Sequence, residues 1–252
     1  MKDIRIWQLG DHRLAYGDSS DPELLSRLIG TDKVNMILND VPYGVKVVES
    51  KRGIAKPSAH KVIVNDDIVD EDDYQVFTEA WLEAIKSYLA PKNSVYIFNS
   101  DKMLIPTIQA LRATGGKFAQ LLIWAKTQAV IGRLDYLPQH ELLIYGWYGT
   151  HKFHKSKDKS ILVYPRPNKS KLHPTMKPVG LLRRIILNST QVGNVVFDGF
   201  VGSGSSVLAC EQTKRRCLAV EVDLEYCKTT IDRWQRLTNQ VAVEVEVNHE
   251  DR

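Results

Sequence analysis

Apolar residues in this chain recur with two periods, and stretches of the two kinds alternate. Val34, Met36, Ile37 and Leu38 form a nearly continuous apolar run, the pattern of a strand buried on both faces of a parallel sheet. Residues 95–98, 119–125, 142–147, 195–197 and 218–220 read as further strands. Between them, Leu24, Leu25 and Leu28, then Phe77, Trp81, Ile85 and Tyr88, then Leu182, Ile185 and Ile186 repeat at the spacing of one helix face. The ends of these helices are marked as well. Ser19 to Asp21 offer a cap before Pro22, Pro178 opens a helix, and Gly115 with Gly116 closes the one expected over 103–114. A helix over 71–88 is expected to stop before a turn at 91–93. Residues 4–14 suggest an opening hairpin or edge strand, and 241–247 an added edge strand or a frayed tail. Strand and helix alternating at this spacing predict an α/β sheet.

Composition narrows the class. At 252 residues the chain can bury a sizeable core and reads as a single domain, 1–252,. No apolar run approaches the length of a membrane span, and Met1, Lys2, Asp3 and Ile4 do not begin a signal sequence, so a cytoplasmic protein without membrane contact is expected. Cys210, Cys217 and Cys227 are odd in number and form no C-x-x-C pair; they read as small buried hydrophobes, with no disulfide or metal framework. The net charge of +4 matters mainly through its placement. Between 151 and 172 the periodicity collapses, and Lys152, Lys155, Lys157, Lys159, Arg166, Lys169 and Lys171 face the single acid Asp158. Interleaved with Phe153 and Tyr164, this insert reads as a nucleic-acid contact or as a solvated face.

Three stretches carry chemistry. The first follows the run at Val34: Asn39, Asp40, Val41, Pro42, Tyr43, Gly44. An acid, a carbonyl aimed by a following proline and an aromatic ring, at the carboxyl end of a parallel strand, suit reaction on a flat amine. Residues 45–61, rich in Lys, Ser, Gly and Pro, form a lid or a surface loop beside it. The second stretch is Asp198, Gly199, Phe200, Val201, Gly202, Ser203, Gly204, Ser205. Its glycines let a backbone approach a ligand while the next helix offers free N–H groups. Gly199, four residues, Gly204, Ser205 nearly spells a P-loop, but the phosphate-neutralising lysine is missing, which excludes an NTPase. The third is Glu221, at the end of the next strand, where an acid can accept bonds from a ribose diol. A glycine loop and a diol acid without that cation suit a nucleoside lacking phosphate, such as S-adenosylmethionine.

Taken together, Asp40-Val41-Pro42-Tyr43, His173-Pro174-Thr175-Met176-Lys177-Pro178 and Asp198-Gly199-Phe200-Val201-Gly202-Ser203-Gly204 resemble the D-P-P-Y, H-P-T-x-K-P and D-P-F-x-G-S-G motifs of the permuted β-class amino-group DNA methyltransferases. Trp124-Ala125-Lys126 and Gln139-His140-Glu141 resemble that family's W-x-K and Q-H-E landmarks. The likeness spans residues 5–237. It implies a doubly wound, mostly parallel sheet, circularly permuted, with the cofactor-loop strand beside the Asp40 strand, and with 151–172 as a small target-recognition insert. It further implies methyl transfer from S-adenosylmethionine to an exocyclic amine of a flipped base in double-stranded DNA, N6 of adenine by the Asp at position 40. N4 of cytosine, a non-catalytic DNA-binding member of the fold, and methylation of RNA or protein amides stay open as alternatives. By the same likeness Asp40, Val41, Pro42 and Tyr43 are catalytic. Asp18, Thr175, Lys177, Asp198, Phe200, Gly202, Ser203, Gly204 and Glu221 would hold the cofactor, and the seven basic residues of the insert would meet DNA, with a homodimer or partner subunit adding further contacts. Two positions depart from the motifs. Val41 stands for the first proline and keeps its main-chain carbonyl; Gly199 stands for the proline of D-P-F, whose rigidity it lacks.

Overall fold

A computed structural model describes residues 4–43, 68–129, 135–155, 157–166 and 176–245. Gly44, the 45–61 loop, Lys169, Lys171, Thr175 and the last residues of the tail lie outside the described residues. Among these residues ten strands form one sheet: β1 (Arg5–Leu9), β2 (His12–Tyr16), β3 (Val34–Asp40), β4 (Leu89–Asn99), β5 (Lys117–Ala125), β6 (His140–Trp147), β7 (Ile161–Val163), β8 (Val195–Asp198), β9 (Arg216–Glu221) and β10 (Val243–Val245). Their spatial order is β10-β1-β2-β9-β8-β3-β4-β6-β5-β7. The middle five, β2-β9-β8-β3-β4, run parallel. The outer β1, β10 and β6 join antiparallel. β3 and β8, which lead into the two chemical stretches, are neighbours, and their carboxyl ends open on the same edge.

Among the described residues six helices cover the sheet: α1 (Pro22–Ile29), α2 (Glu71–Lys86), α3 (Leu104–Ala113), α4 (Val179–Ser189), α5 (Ser205–Thr213) and α6 (Leu224–Thr238). Because strand side chains alternate, two cores result. Met36, Leu38, Tyr96, Trp124 and Leu143 pack with Leu182, Ile185 and Ile186 of α4, Val207 of α5 and Trp234 of α6. Ile37, Val41, Val95, Ile97 and Phe197 pack with Leu24 and Leu28 of α1, Trp81 and Ile85 of α2, and Leu111 of α3. Helices on both faces of a mostly parallel sheet make the doubly wound α/β architecture. Asp21 caps α1, accepting from the Glu23 and Leu24 N–H groups with Pro22 at the first helical position,. All three cysteines are buried and free.

The structure departs from the sequence reading at β4 and β7, and it adds α6, a helix the sequence reading did not name. The turn expected at 91–93 belongs to β4, because pairing with β3 jumps from Val34 opposite Leu89 to Met36 opposite Ser94. Pro91 falls in the irregular stretch, where a missing ladder donor does no harm. Within the insert, Ile161–Val163 forms β7, parallel to β5; three residues with only Leu162 buried are too few to show a period. Residues 243–245 adopt the edge-strand alternative, antiparallel to β1.

Candidate active site

Asp40 ends β3 on the face that carries Met36 and Leu38. The same alternation puts Glu141 of β6 on that face, in step with Leu143 and Tyr145, and Lys126 follows Trp124 of β5. Lys177, just ahead of α4, reaches into the space between them. Its Nζ lies 2.5 Å from Asp40 Oδ1, 3.0 Å from the Tyr43 hydroxyl and 3.1 Å from Glu141 Oε2. Tyr43 Oη sits 3.0 Å from both Asp40 Oδ1 and Glu141 Oε2, and Lys126 binds the other Glu141 oxygen at 2.8 Å. Two carboxylates and two ammoniums thus surround one phenol. Lys177 is 3% exposed at its side chain, whereas Asp40 is 26% exposed and so keeps a route to solvent.

The charges of this cluster follow from geometry. Burial opposes the charged form of Lys177, but Asp40 and Glu141 outweigh it and its pKa ends raised. Burial likewise opposes the Glu141 carboxylate, and Lys177 with Lys126 reverses the balance to a lowered pKa,. Burial pushes the Asp40 carboxyl up, with the Glu141 charge adding and Lys177 opposing. Burial and both carboxylates hold the Tyr43 phenol well above its usual value, so Tyr43 is a neutral donor. The Pro42 carbonyl accepts from Tyr74 at 2.7 Å and the Tyr43 carbonyl from Ser100 at 3.5 Å.

The glycine loop joins β8 to α5. Gly202 and Gly204 take φ of 52° and 83°, and a Cβ on Gly204 would fall 2.7 Å from Thr230 Cγ2, so this tight approach to α6 requires glycine. Phe200 anchors the loop by its ring, 5.7 Å from Trp81 and 5.9 Å from Phe77. Asp198 is buried, accepts from the Phe200 N–H at 3.0 Å and from the Ser206 hydroxyl at 2.5 Å, and burial carries its pKa to about 7. Glu221 accepts from the Gly202 and Asp223 N–H groups at 2.7 and 2.9 Å and is also pushed by burial to about 7. The Ser203 hydroxyl and carbonyl are both held by Arg233, so the nearby cation is engaged by the loop itself. Asp18, exposed after β2, accepts from the Ser20 N–H and hydroxyl at 2.8 Å. A glycine turn at a helix amino end, flanked by carboxylates, fits a nucleoside without phosphate and gives no purchase to a polyphosphate.

Sequence reasoning placed Lys177 with the cofactor; the structure turns it to Asp40 and Glu141. Lys126 and Glu141 were visible only as landmark tripeptides and had no assigned role. The insert splits along its length. β6 runs away from the Asp40 edge, so His151 and Lys152 lie roughly 20 Å from Glu141 along that strand, and the His154 N–H donates to the Asn188 carbonyl at the far end of α4. Lys155 and Lys157 follow there. Asp158 binds Arg184 and Asn188 of α4, after which Lys159 leads into β7, which returns to the end of β5, and Arg166 emerges at the Asp40 edge. Among the described residues no metal-binding group of acids, histidines and cysteines occurs, and no helix is long and apolar enough to cross a membrane.

Comparison with known proteins agrees with this arrangement. Residues 34–232 match the family described as DNA methylase, of the N6/N4 type. The chain is 25% identical over 228 residues to Type II methyltransferase M.HpaI of Haemophilus parainfluenzae, covering 80% of this chain and 68% of that protein. The fold is shared with M1.HpyAVI, solved as its complex with SAM, at a TM-score of 0.67 and 21% identity over 87% of this chain and 97% of that one. It is shared equally with the cytosine-N4-specific PvuII DNA methyltransferase, at a TM-score of 0.67 and 15% identity over 90% and 87% of the two chains.

Proposed function

The chain belongs to the N6/N4 family of DNA methylases, and from that premise we propose that it methylates N6 of an adenine flipped out of double-stranded DNA, as a member of the permuted β class. The observation that carries this reading is the convergence of Asp40, Tyr43 and Glu141 oxygens on one N–H-bearing nitrogen, that of Lys177. An exocyclic amine is a group of the same kind, and in reaction it takes the place beside Asp40 that the ammonium holds here. S-adenosylmethionine, when bound, supplies an electrophilic sulfonium methyl. Asp18, Glu221 and the 198–204 loop are its proposed seat, with Thr175 completing it.

The amine lone pair is delocalised into the purine ring. By accepting its two N–H bonds, the Asp40 carboxylate and the Val41 carbonyl favour a tetrahedral nitrogen and release the lone pair toward the methyl. As the N–C bond forms and the S–C bond breaks, positive charge grows on nitrogen, which Asp40 stabilises; one such group contributes about 3–4 kcal/mol. The excess amine proton then leaves by way of Asp40 to solvent. The Tyr43 ring offers a stacking face for the flipped base, and its hydroxyl, bonded to Asp40 and Glu141, sets the ring's orientation. The likeness to a Type II methyltransferase suits a role in restriction-modification.

The PvuII enzyme has the same fold, so fold does not choose the base. Adenine rests on Asp40, the acceptor that the resembled family pairs with it. Expression in a methylation-deficient host, with the genome read by a method that detects modified bases directly, should give N6-methyladenine in one short motif. N4-methylcytosine would overturn the base and keep the mechanism. An unmodified genome with folded protein would favour a non-catalytic DNA-binding member.

A further inference from the structure

Asn39 is a fully buried polar residue that the chemistry above leaves without a task. It precedes Asp40 on β3 and faces the opposite side of the sheet. Main-chain pairing between β3 and β8 covers only Val34, Met36 and Ile37 opposite Val195, Val196 and Phe197. Side chains close both ends of that seam. The Val195 N–H donates to Asn35 Oδ1 at 3.0 Å, and the Gly199 N–H donates to Asn39 Oδ1 at 2.9 Å. Asn39 Nδ2 has no hydrogen-bond partner among the described residues, an unfavourable state for a buried amide. Asn39 is therefore not a member of a satisfied core network, and its one bond joins the strand of Asp40 to the first residue of the glycine loop.

Gly199 is the matching half. A Cβ there would lie 3.0 Å from Ser19 Cβ, 3.3 Å from Ser19 Oγ and 3.2 Å from Phe197 Cε1. The loop after β2 and the carboxyl ends of β3 and β8 meet at this point, and each carries one acid of the site: Asp18, Asp40 and Asp198. The contact needs an N–H, and it suits a residue with no side chain, since a Cβ would make Ser19 or Phe197 give by a few tenths of an ångström. Proline, which the resembled D-P-F motif has at this position, meets neither need.

We propose that Asn39 is a positioning residue for cofactor binding, setting the 199–204 loop against Asp40 through its bond to the Gly199 N–H, in a contact that needs this N–H and packs closely against the glycine. This deepens the function proposed above and rests on S-adenosylmethionine as the ligand of that loop.

The test is calorimetric titration of S-adenosylmethionine into the full chain, with melting temperatures measured in parallel, for wild type, Asn39→Ala, Gly199→Pro and the double variant. Asn39→Ala should weaken binding about tenfold, the scale of one buried hydrogen bond. Gly199→Pro should weaken it further, and its loss should shrink by about tenfold in the Asn39→Ala background, because the bond is already gone. Equal losses in the two backgrounds, wild-type binding by Gly199→Pro, or an Asn39→Ala protein with a lower melting temperature and unchanged affinity would each overturn the proposal. If Gly199→Pro does not fold, Gly199→Ala should weaken binding and Ser19→Gly should restore it; failure of that rescue also overturns it. No binding by the wild type would sink the cofactor reading itself, a result distinct from any pattern among the variants.

Discussion

At the scale of single residues, the proposed function assigns Asp40 to the amine and Glu221 to the cofactor, so their substitutions should separate. Asp40→Ala is expected to abolish methyl transfer while S-adenosylmethionine affinity stays within about twofold, since the lost group stabilised charge on the amine. A tritium-transfer assay and calorimetry on one preparation check both halves. Glu221→Ala should weaken cofactor binding by about 1–3 kcal/mol through loss of a charged acceptor. Acidity gives an independent handle. Burial holds Glu221 and Asp198 at about 7, above their unfolded values, so the free fold is favoured by protonation at low pH and loses that contribution as pH rises through about 7. A ribose diol donates to the ionised Glu221, so cofactor binding should strengthen from pH 6 to 8 and release protons in the lower part of that range. Calorimetry in buffers of different ionisation enthalpy measures the release, and Glu221→Gln should flatten the pH profile.

Among elements, the junction of β5, β6 and the segment before α4 is where charge is concentrated. Glu141 accepts from Lys126 and Lys177 at once, and Glu141→Gln would leave two buried ammoniums with Asp40 as their one carboxylate. Breaking a buried pair in this way destabilises by about 3–5 kcal/mol, and the 19% exposure of Glu141 places the effect at the low end. A thermal melt reads that loss. The same variant should raise the KM for DNA without moving cofactor affinity, because Lys177 then binds Asp40 more firmly and competes better with the target amine. A parallel fall in cofactor affinity would mean that Glu141 supports the glycine loop instead.

For the molecule as a whole, the question is how DNA reaches Asp40. The carboxyl ends of β3 and β8 open on one edge of the sheet, and on the proposed function a flipped base enters there. Lys152 and Lys155 lie at the other end of β6, while Arg166 emerges from β7 on the catalytic side. DNA affinity should therefore fall steeply with salt, Arg166→Ala should lower that slope by about one, and Lys152→Ala with Lys155→Ala should leave it unchanged. Binding isotherms over a range of salt decide the matter. A flattened slope in the double lysine variant would return the whole insert to the DNA interface, or place a second copy of the chain so that its far end meets the duplex.

Local order was legible in the amino-acid pattern because local order depends on near neighbours. Period and caps located most strands and the helices of the chain up to the glycine loop but named none over 224–238, and the motif order put Asp40, Asp198 and Glu221 at strand ends, since a strand's hydrophobic run stops where its chemistry starts. Three kinds of fact needed the folded chain. The irregular start of β4 and the three-residue β7 exist because of pairing partners, which leave too short a trace in the sequence. The cluster of Asp40, Tyr43, Lys126, Glu141 and Lys177 draws on segments up to 137 residues apart, and only the order β3-β4-β6-β5 sets them on one face. Gly199 could be read in sequence only as a missing proline; its meaning lies in what stands opposite, the Asn39 side-chain amide oxygen and the Ser19 side chain, which distance in the chain had hidden.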